Sequence, residues 1–450
     1  MPEYVPNIRY RSAEEDSAVD TILFKNAKIF DGTDDAFIDA TDVLIEGKLI
    51  SKVGTGLEAP DGKRVAVVNC DGKTLMPGMI DMHSHLAIQE GMLEGRDEFD
   101  QMSMGAMCAA DCLDYLAQGF TTCRDAGGNV LGIAKAVRLD RIYGPRIYPS
   151  GAFISQTGGH GDTGCCFDKP GTMDALEEAG FSYICDSVAE VKKAVRNNFR
   201  NGATQCKFMA GGGVASAFDP IHCTQGTFEE LQAACAIADD YGSYVMIHAY
   251  HDRSINRAID AGIKCVEHGF LMNEETMKRM VREKIAMSIQ AVMSLEAFAA
   301  PDAITFFNRE QKTKAAMVNS GAATMMKLCR EHKPILISGG DMFGHGYQER
   351  QADNIIAMVT MGGFDTATAL RSATSNAAEV LSWCTGMNPY KDGPLGVIKE
   401  GAYADVIVVD GDPLANIKSL HRDKVEVVIK DGKCFKYKLQ DGALTVESSK

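Results

Sequence analysis

Two histidines, His83 and His85, stand on either side of one serine where the apolar run LMPGMIDMHSHL, residues 75–86, comes to an end. In an extended strand residues i and i+2 share a face, so both imidazoles emerge side by side. Comparable endings recur downstream: Lys207 in QCKFMAGG, His248 in VMIHAY, His268 in CVEHG and Asp341 in ISGGDMFG. One histidine at the end of an apolar strand is explained by a hydrogen bond in the core. Three strands that each end in histidine, with a carboxylate to close the ring, suit zinc or a similar divalent cation. Lys207 is the odd member, because an ammonium beside a cation is repelled. Spacing leaves two readings of it open: an ion-paired lysine at the mouth that anchors a substrate carboxylate, or a chemically modified lysine.

Residues so far apart in sequence meet only if a regular scaffold brings them together. Between residues 76 and 385 short apolar runs ending in polar residues alternate with helical stretches such as SVAEVKKAVRNNFRNG, TFEELQAACAIADDYG and NEETMKRMVREK. That alternation predicts an α/β fold with a parallel sheet and outer helices. A strand count close to eight favours a (β/α)8 TIM-like barrel, whose chemistry is placed at the C-terminal strand ends. The runs DTILFKNAKIFDG and ATDVLIEGKLISKVG near the start, and YADVIVVDGD and KVEVVIKDGKCFKY near the end, are β-rich and broken by Gly and Asp-Gly turns. They predict a small composite β-sandwich domain built from both chain ends, 21–75 plus 386–445, around a barrel over 76–385, with an N-terminal tail over 1–20.

Composition narrows the function classes. A formal net charge of −15 works against a nucleic-acid partner. No apolar run approaches the roughly 20 residues of a membrane span. The start, MPEYVPNIRYRSAEEDSAVD, has neither the basic opening nor the apolar run of a secretory signal, which predicts a cytoplasmic protein. The 14 cysteines are spread from Cys70 to Cys434, many in apolar segments, and are read as free thiols in a reducing compartment. The adjacent pair Cys165 and Cys166 has no second CxxC nearby to complete a zinc site. AGGGVAS, residues 210–216, lacks the GK[ST] ending of a phosphate loop and is read as a turn after Lys207.

The pieces NAKIFDG, LMPGMIDMHSH, GFTTCRDAGG, GPRIYPSGAFISQTGGHGD, KFMAGGG, HAY, EHG, GGD and GPLGVIKEGAYADVIVVDGDPL follow one another over nearly the whole chain. In this order they resemble the amidohydrolase superfamily, and most closely its imidazolonepropionase-related branch of Xaa-Pro dipeptidases, arginine-type carboxypeptidases and ochratoxin-hydrolysing amidases. The resemblance implies the barrel with its composite β-sandwich, two divalent ions with zinc as the expected metal, and a homo-oligomer acting on a small-molecule substrate. It implies that His83, His85 and Asp341 hold the more buried metal and His248 and His268 the second. Lys207 would be carboxylated by carbon dioxide and bridge them, which resolves the charge problem. The implied reaction is attack of a shared hydroxide on an amide, in a dipeptide or an N-acyl amino acid, with Asp341 passing the proton to the leaving amine. Cyclic amides, ureas, carbamates and esters present the same carbonyl and are the alternative substrates. A non-catalytic metal-binding scaffold would have lost Asp341 or a ligand, and none is missing.

His160 in TGGHGD is implied as a donor to the carbonyl or oxyanion. Arg124 and Asp125 in CRDAGG are expected to pair and support the site, and Tyr250 to point the same way as His248. Arg124, Tyr250, His251 and Arg253 are the candidates to receive a substrate carboxylate. The chain departs from the family pattern at His251, where many relatives carry glycine, and at Gly340, where they usually carry threonine. The insert CCFDKPGTMDALEEAGFSYICD is expected to cover the pocket with its aromatic residues.

Overall fold

The computed structural model describes residues 21–89, 100–169, 171–439 and 444–448; the tail expected over 1–20 lies outside them. Apolar runs buried on both faces become parallel strands. β1 (Met79–Ser84), β2 (Phe120–Asp125) and β3 (Arg146–Pro149) form one parallel sheet in that order. β4 (Cys206–Met209), β5 (Val245–His251), β6 (Cys265–Leu271), β7 (Ala286–Ile289) and β8 (Ile335–Ser338) form another, extended beyond β4 by Phe153–Ser155 and Ser182–Ile184. Isolated backbone bonds tie the two sheets at both seams. Thr204 N donates to Pro149 O at 2.7 Å just before β4, and Asp341 N donates to His83 O at 2.8 Å just beyond β8. No continuous ladder joins β8 to β1 among the described residues.

Helices between the strands bury one face each, as their periodicity requires. Val188–Arg200 buries Val191, Ala194, Val195, Asn198 and Phe199. Reciprocal capping boxes open two of these helices: Thr227 with Glu230 for Phe228–Asp240, and Asn308 with Gln311 for Arg309–His332.

The chain ends pair with each other. Val406–Val409 runs antiparallel to Thr74–Pro77, and Leu444–Ser448 antiparallel to Arg64–Asn69. Phe24, Ile29, Val43, Leu75, Val406, Val408 and Val427 meet in one buried cluster. In the Asp-Gly turn between Val425–Lys430 and Lys433–Tyr437 both residues have positive φ, the geometry that matches the twist of a tight hairpin.

Candidate active site

His83 sits inside β1 and His85 one residue past its end. Their Nε2 atoms are 3.2 Å apart, and Asp341 Oδ1 lies 3.4 Å from the first and 3.3 Å from the second. The other ring nitrogens are committed: His83 Nδ1 faces Glu267 Oε2 at 2.6 Å, and His85 Nδ1 faces Gly127 O at 3.0 Å. A carboxylate and a carbonyl only accept, so each Nδ1 carries a proton, and in the neutral ring each Nε2 presents a lone pair. Three electron-rich atoms so close repel one another unless a cation lies between them. Ligands about 2.0–2.1 Å from a tetrahedral zinc are themselves about 3.3–3.4 Å apart, so this donor set fits a divalent cation. Burial and the nearby Lys207 push the His83 pKa down to about 4, which keeps its ring in the neutral form a ligand requires.

The support behind these side chains is equally specific. Glu267 is fully buried, and its Oε1 receives Arg124 Nη2 at 2.5 Å. Burial would raise its pKa, but Arg124 and His83 outweigh that and hold the carboxyl well below the usual range. Arg124 also donates Nε to Met82 O at 2.7 Å. The expected pairing of Arg124 with Asp125 is not made, because neighbours on a strand face opposite ways. Asp125 instead accepts from Leu86 N at 3.1 Å and Gly127 N at 3.0 Å, bracing the turn that carries His85. Burial lifts its pKa to about 7. Asp81 accepts from His83 N, Gly340 N and the Tyr115 hydroxyl at 2.8–3.1 Å, which ties β1 to the loop after β8. Glu267 and Asp81 were not singled out by the sequence reading.

Backbone strain gathers at the same place. His268 and Asp341 have φ of 75° and 53°, left-handed conformations costly for residues with a Cβ and held only where surroundings impose them. A Cβ on Gly339 would lie 2.4 Å from the His83 Cβ, so glycine permits the close approach of the β8 end to β1. At Gly340 a Cβ would meet Gln351 Oε1 at 2.0 Å: buried Gln351 fills the space that the more usual threonine would take.

The remaining strand ends gather beside this group. The His248 and His268 rings are 4.6 Å apart between centroids, and His268 Nδ1 is 3.9 Å from Asp341 Oδ2. Lys207 is 1% exposed and lines the same cavity, and its ammonium has no hydrogen-bond partner among the described residues; burial pushes its pKa down. Among the described residues only His83, His85 and Asp341 converge closely enough to hold an ion as they stand.

The amidohydrolase family model matches residues 74–434. The chain belongs to the amidohydrolase family. An ochratoxinase of Aspergillus niger is 30% identical over 419 residues, covering 88% of this chain and 82% of that protein. A prolidase crystallised in complex with N-methylphosphonate-L-proline is 31% identical, with a TM-score of 0.83 over 93% of this chain and 100% of the other. A Xaa-Pro dipeptidase with bound methionine has a TM-score of 0.80 and 26% identity over 92% of this chain and 100% of its own. This amidohydrolase is therefore a hydrolase of amide or related carbon–nitrogen bonds.

In the amidohydrolase a cavity of about 450 Å³ opens over the histidines. Its walls are largely apolar: Phe153, Phe181, Val292, Phe298, Phe306 and Phe307 line it, and among the described residues Lys207 is the only lysine or arginine in its lining. Tyr250 reaches it, 4.9 Å from the His248 ring, as the strand alternation predicts. Arg124, His251 and Arg253 do not. Arg124 is spent on Glu267; His251 sits half-buried at the helix start with Nε2 3.4 Å from Cys223 O; Arg253 is exposed. The insert divides: Phe181 lines the cavity, whereas Phe167 is 96% exposed.

His160 stacks on His248 with ring centroids 4.1 Å apart, and its Nδ1 is 2.7 Å from Ser216 Oγ. Burial pushes its pKa down to about 4, so the ring is neutral at neutral pH. The Ser216 hydroxyl has a second acceptor, Gly213 O at 3.2 Å. When its hydrogen points to Nδ1, the ring's own proton sits on Nε2 and can be donated into the cavity.

Proposed function

We propose that this chain is a binuclear metal-dependent amidohydrolase, a closed (β/α)8 barrel with a composite β-sandwich, that cleaves the amide of a dipeptide or N-acyl amino acid bearing a bulky apolar group. The observation that carries it is the set of lone pairs on His83 Nε2, His85 Nε2 and Asp341 Oδ1, each Nδ1–H being held from behind. His83, His85 and Asp341 would hold one ion, most simply zinc, and His248 and His268 a second. When bound, the ions lower the pKa of water and polarise the carbonyl.

Lys207 suits carboxylation by carbon dioxide. A buried ammonium without a partner among the described residues is costly, so the neutral amine is favoured, and the neutral amine is the nucleophile toward carbon dioxide. Forming the N–C bond releases the nitrogen's proton to water, and the resulting carbamate is an anion that two cations would share. Asp341 then takes a proton from the attacking water and returns it to the departing nitrogen as the C–N bond breaks. Tyr250 and His160 stand where a hydroxyl and an imidazole N–H can stabilise the oxyanion. Free cysteines throughout, nine of them buried, suit a cytoplasmic enzyme, and a homo-oligomer is part of the same proposal.

The apolar wall, with no guanidinium in it among the described residues, favours a second reading, a neutral amide, urea, carbamate or ester substrate. The two are separated by incubating zinc-loaded protein and D341N with a mixed library of dipeptides and N-acyl amino acids, followed by mass spectrometry. We expect the wild type alone to release amino acids, preferentially from apolar substrates. No release from that library, with lactams, ureas, carbamates and esters cleaved instead, would transfer the assignment to the second reading; no turnover of either set would reject both.

A further inference from the structure

We infer that Lys314, on the helix Arg309–His332 and outside the metal-binding group, is a positioning residue that locks the loop behind His160. This inference rests on the reading of His160 as an oxyanion donor. The Lys314 ammonium donates to Ser216 O at 2.7 Å and to Asp219 O at 3.1 Å, and lies 3.6 Å from Asp219 Oδ1. Lysine normally keeps its ammonium in water, yet here the residue is 8% exposed and every acceptor it faces belongs to one short loop.

That loop grips His160 from two sides. Ser216 Oγ holds Nδ1, and Asp219 Oδ2 accepts from Gly213 N at 2.8 Å and from Gln225 Nε2 at 3.1 Å. Gln225 Oε1 in turn receives His160 N at 2.9 Å. A Cβ on Gly213 would lie 1.9 Å from His160 Nδ1, so the ring rests directly on the loop backbone. A second lock comes from the same helix, one turn earlier: Gln311 Nε2 donates to Ala215 O at 2.6 Å. Removing Lys314 frees Ser216 and Asp219 together, and with them the face that presses His160 onto His248. A group that acts on the oxyanion contributes in the transition state, so the loss falls on kcat rather than on KM.

The test is a double-mutant cycle in the full-length, metal-loaded enzyme on its best substrate. We expect K314M and S216A each to lower kcat about tenfold with KM within about twofold, and K314R to recover most of it. In an H160N background K314M should change kcat less than about twofold, because the residue it acts through is gone. A full tenfold loss in that background, or wild-type kcat in folded K314M, would overturn the inference. Should K314M leave Asp219 too costly to bury, K314M/D219N removes both charges and carries the same expectations. If the wild type turns over no substrate, the functional reading fails on its own. A crystal structure of the variant then decides: His160 swung off His248 supports the lock, and an unmoved ring rejects it.

Discussion

Glu267 shows what one residue contributes to this site. Its carboxylate orients His83 through Nδ1 and is itself held by Arg124, so the lone pair on His83 Nε2 is aimed before any ion arrives. E267Q keeps the shape and removes the charge. Support of this kind is worth about 10–100-fold in metal affinity, and we expect a loss of that size for zinc in a chelator competition. Unchanged affinity would show that Glu267 serves packing alone. The sequence placed Glu267 next to His268 without identifying it, because strand alternation assigns neighbours to opposite faces. The left-handed turn at His268 breaks the alternation and brings both residues beside His83.

At the scale of elements, the segment after β7 builds the cavity wall. Val292–Glu296, Ala297–Ala299 and Pro301–Ala303 are short π and 3-10 turns that carry Val292 and Phe298 into the cavity wall, Phe298 beside Phe307 just beyond them. Such turns lack a single period, so no pattern in MSLEAFAAPDAITFFNRE marks which aromatic faces inward. For F298A we expect KM for substrates with a bulky apolar acyl group to rise about tenfold, in keeping with the loss of roughly 1.5 kcal/mol of apolar contact, while small acyl substrates change little. An equal change for both classes, measured over an acyl series, would remove Phe298 from substrate recognition. The α/β alternation was legible because capped helices and doubly buried strands each impose their own period. The extra strands Phe153–Ser155 and Ser182–Ile184 were not, being three residues each.

Across the whole molecule, Arg146 at the start of β3 fastens the parallel strands to the sheets made by the chain ends. Its guanidinium binds Asp405 and Asp431 and lies 4.1 Å over the Tyr403 ring. Arg146 is 1% exposed and Asp405 4%, so R146M leaves a buried carboxylate without its partner. Breaking a buried pair from one side costs about 3–5 kcal/mol, and calorimetry should show a melting temperature lowered by several degrees. R146K restores charge without the two-pronged geometry and should recover only part of it. A melting temperature indistinguishable from wild type would mean that the seam is held by the apolar clusters alone.

The order of motifs, the strand-end histidines, Lys207 and Asp341 could be read from the chain by itself, because side-chain chemistry and the periods of strand and helix are local properties. The tertiary structure alone decided that Arg124 serves Glu267, that His251 and Arg253 stay out of the cavity, and that Lys314 reaches the loop behind His160. Each depends on where a long side chain finds an acceptor. That is settled by atoms distant in sequence and by the cost of burying a charge without a partner.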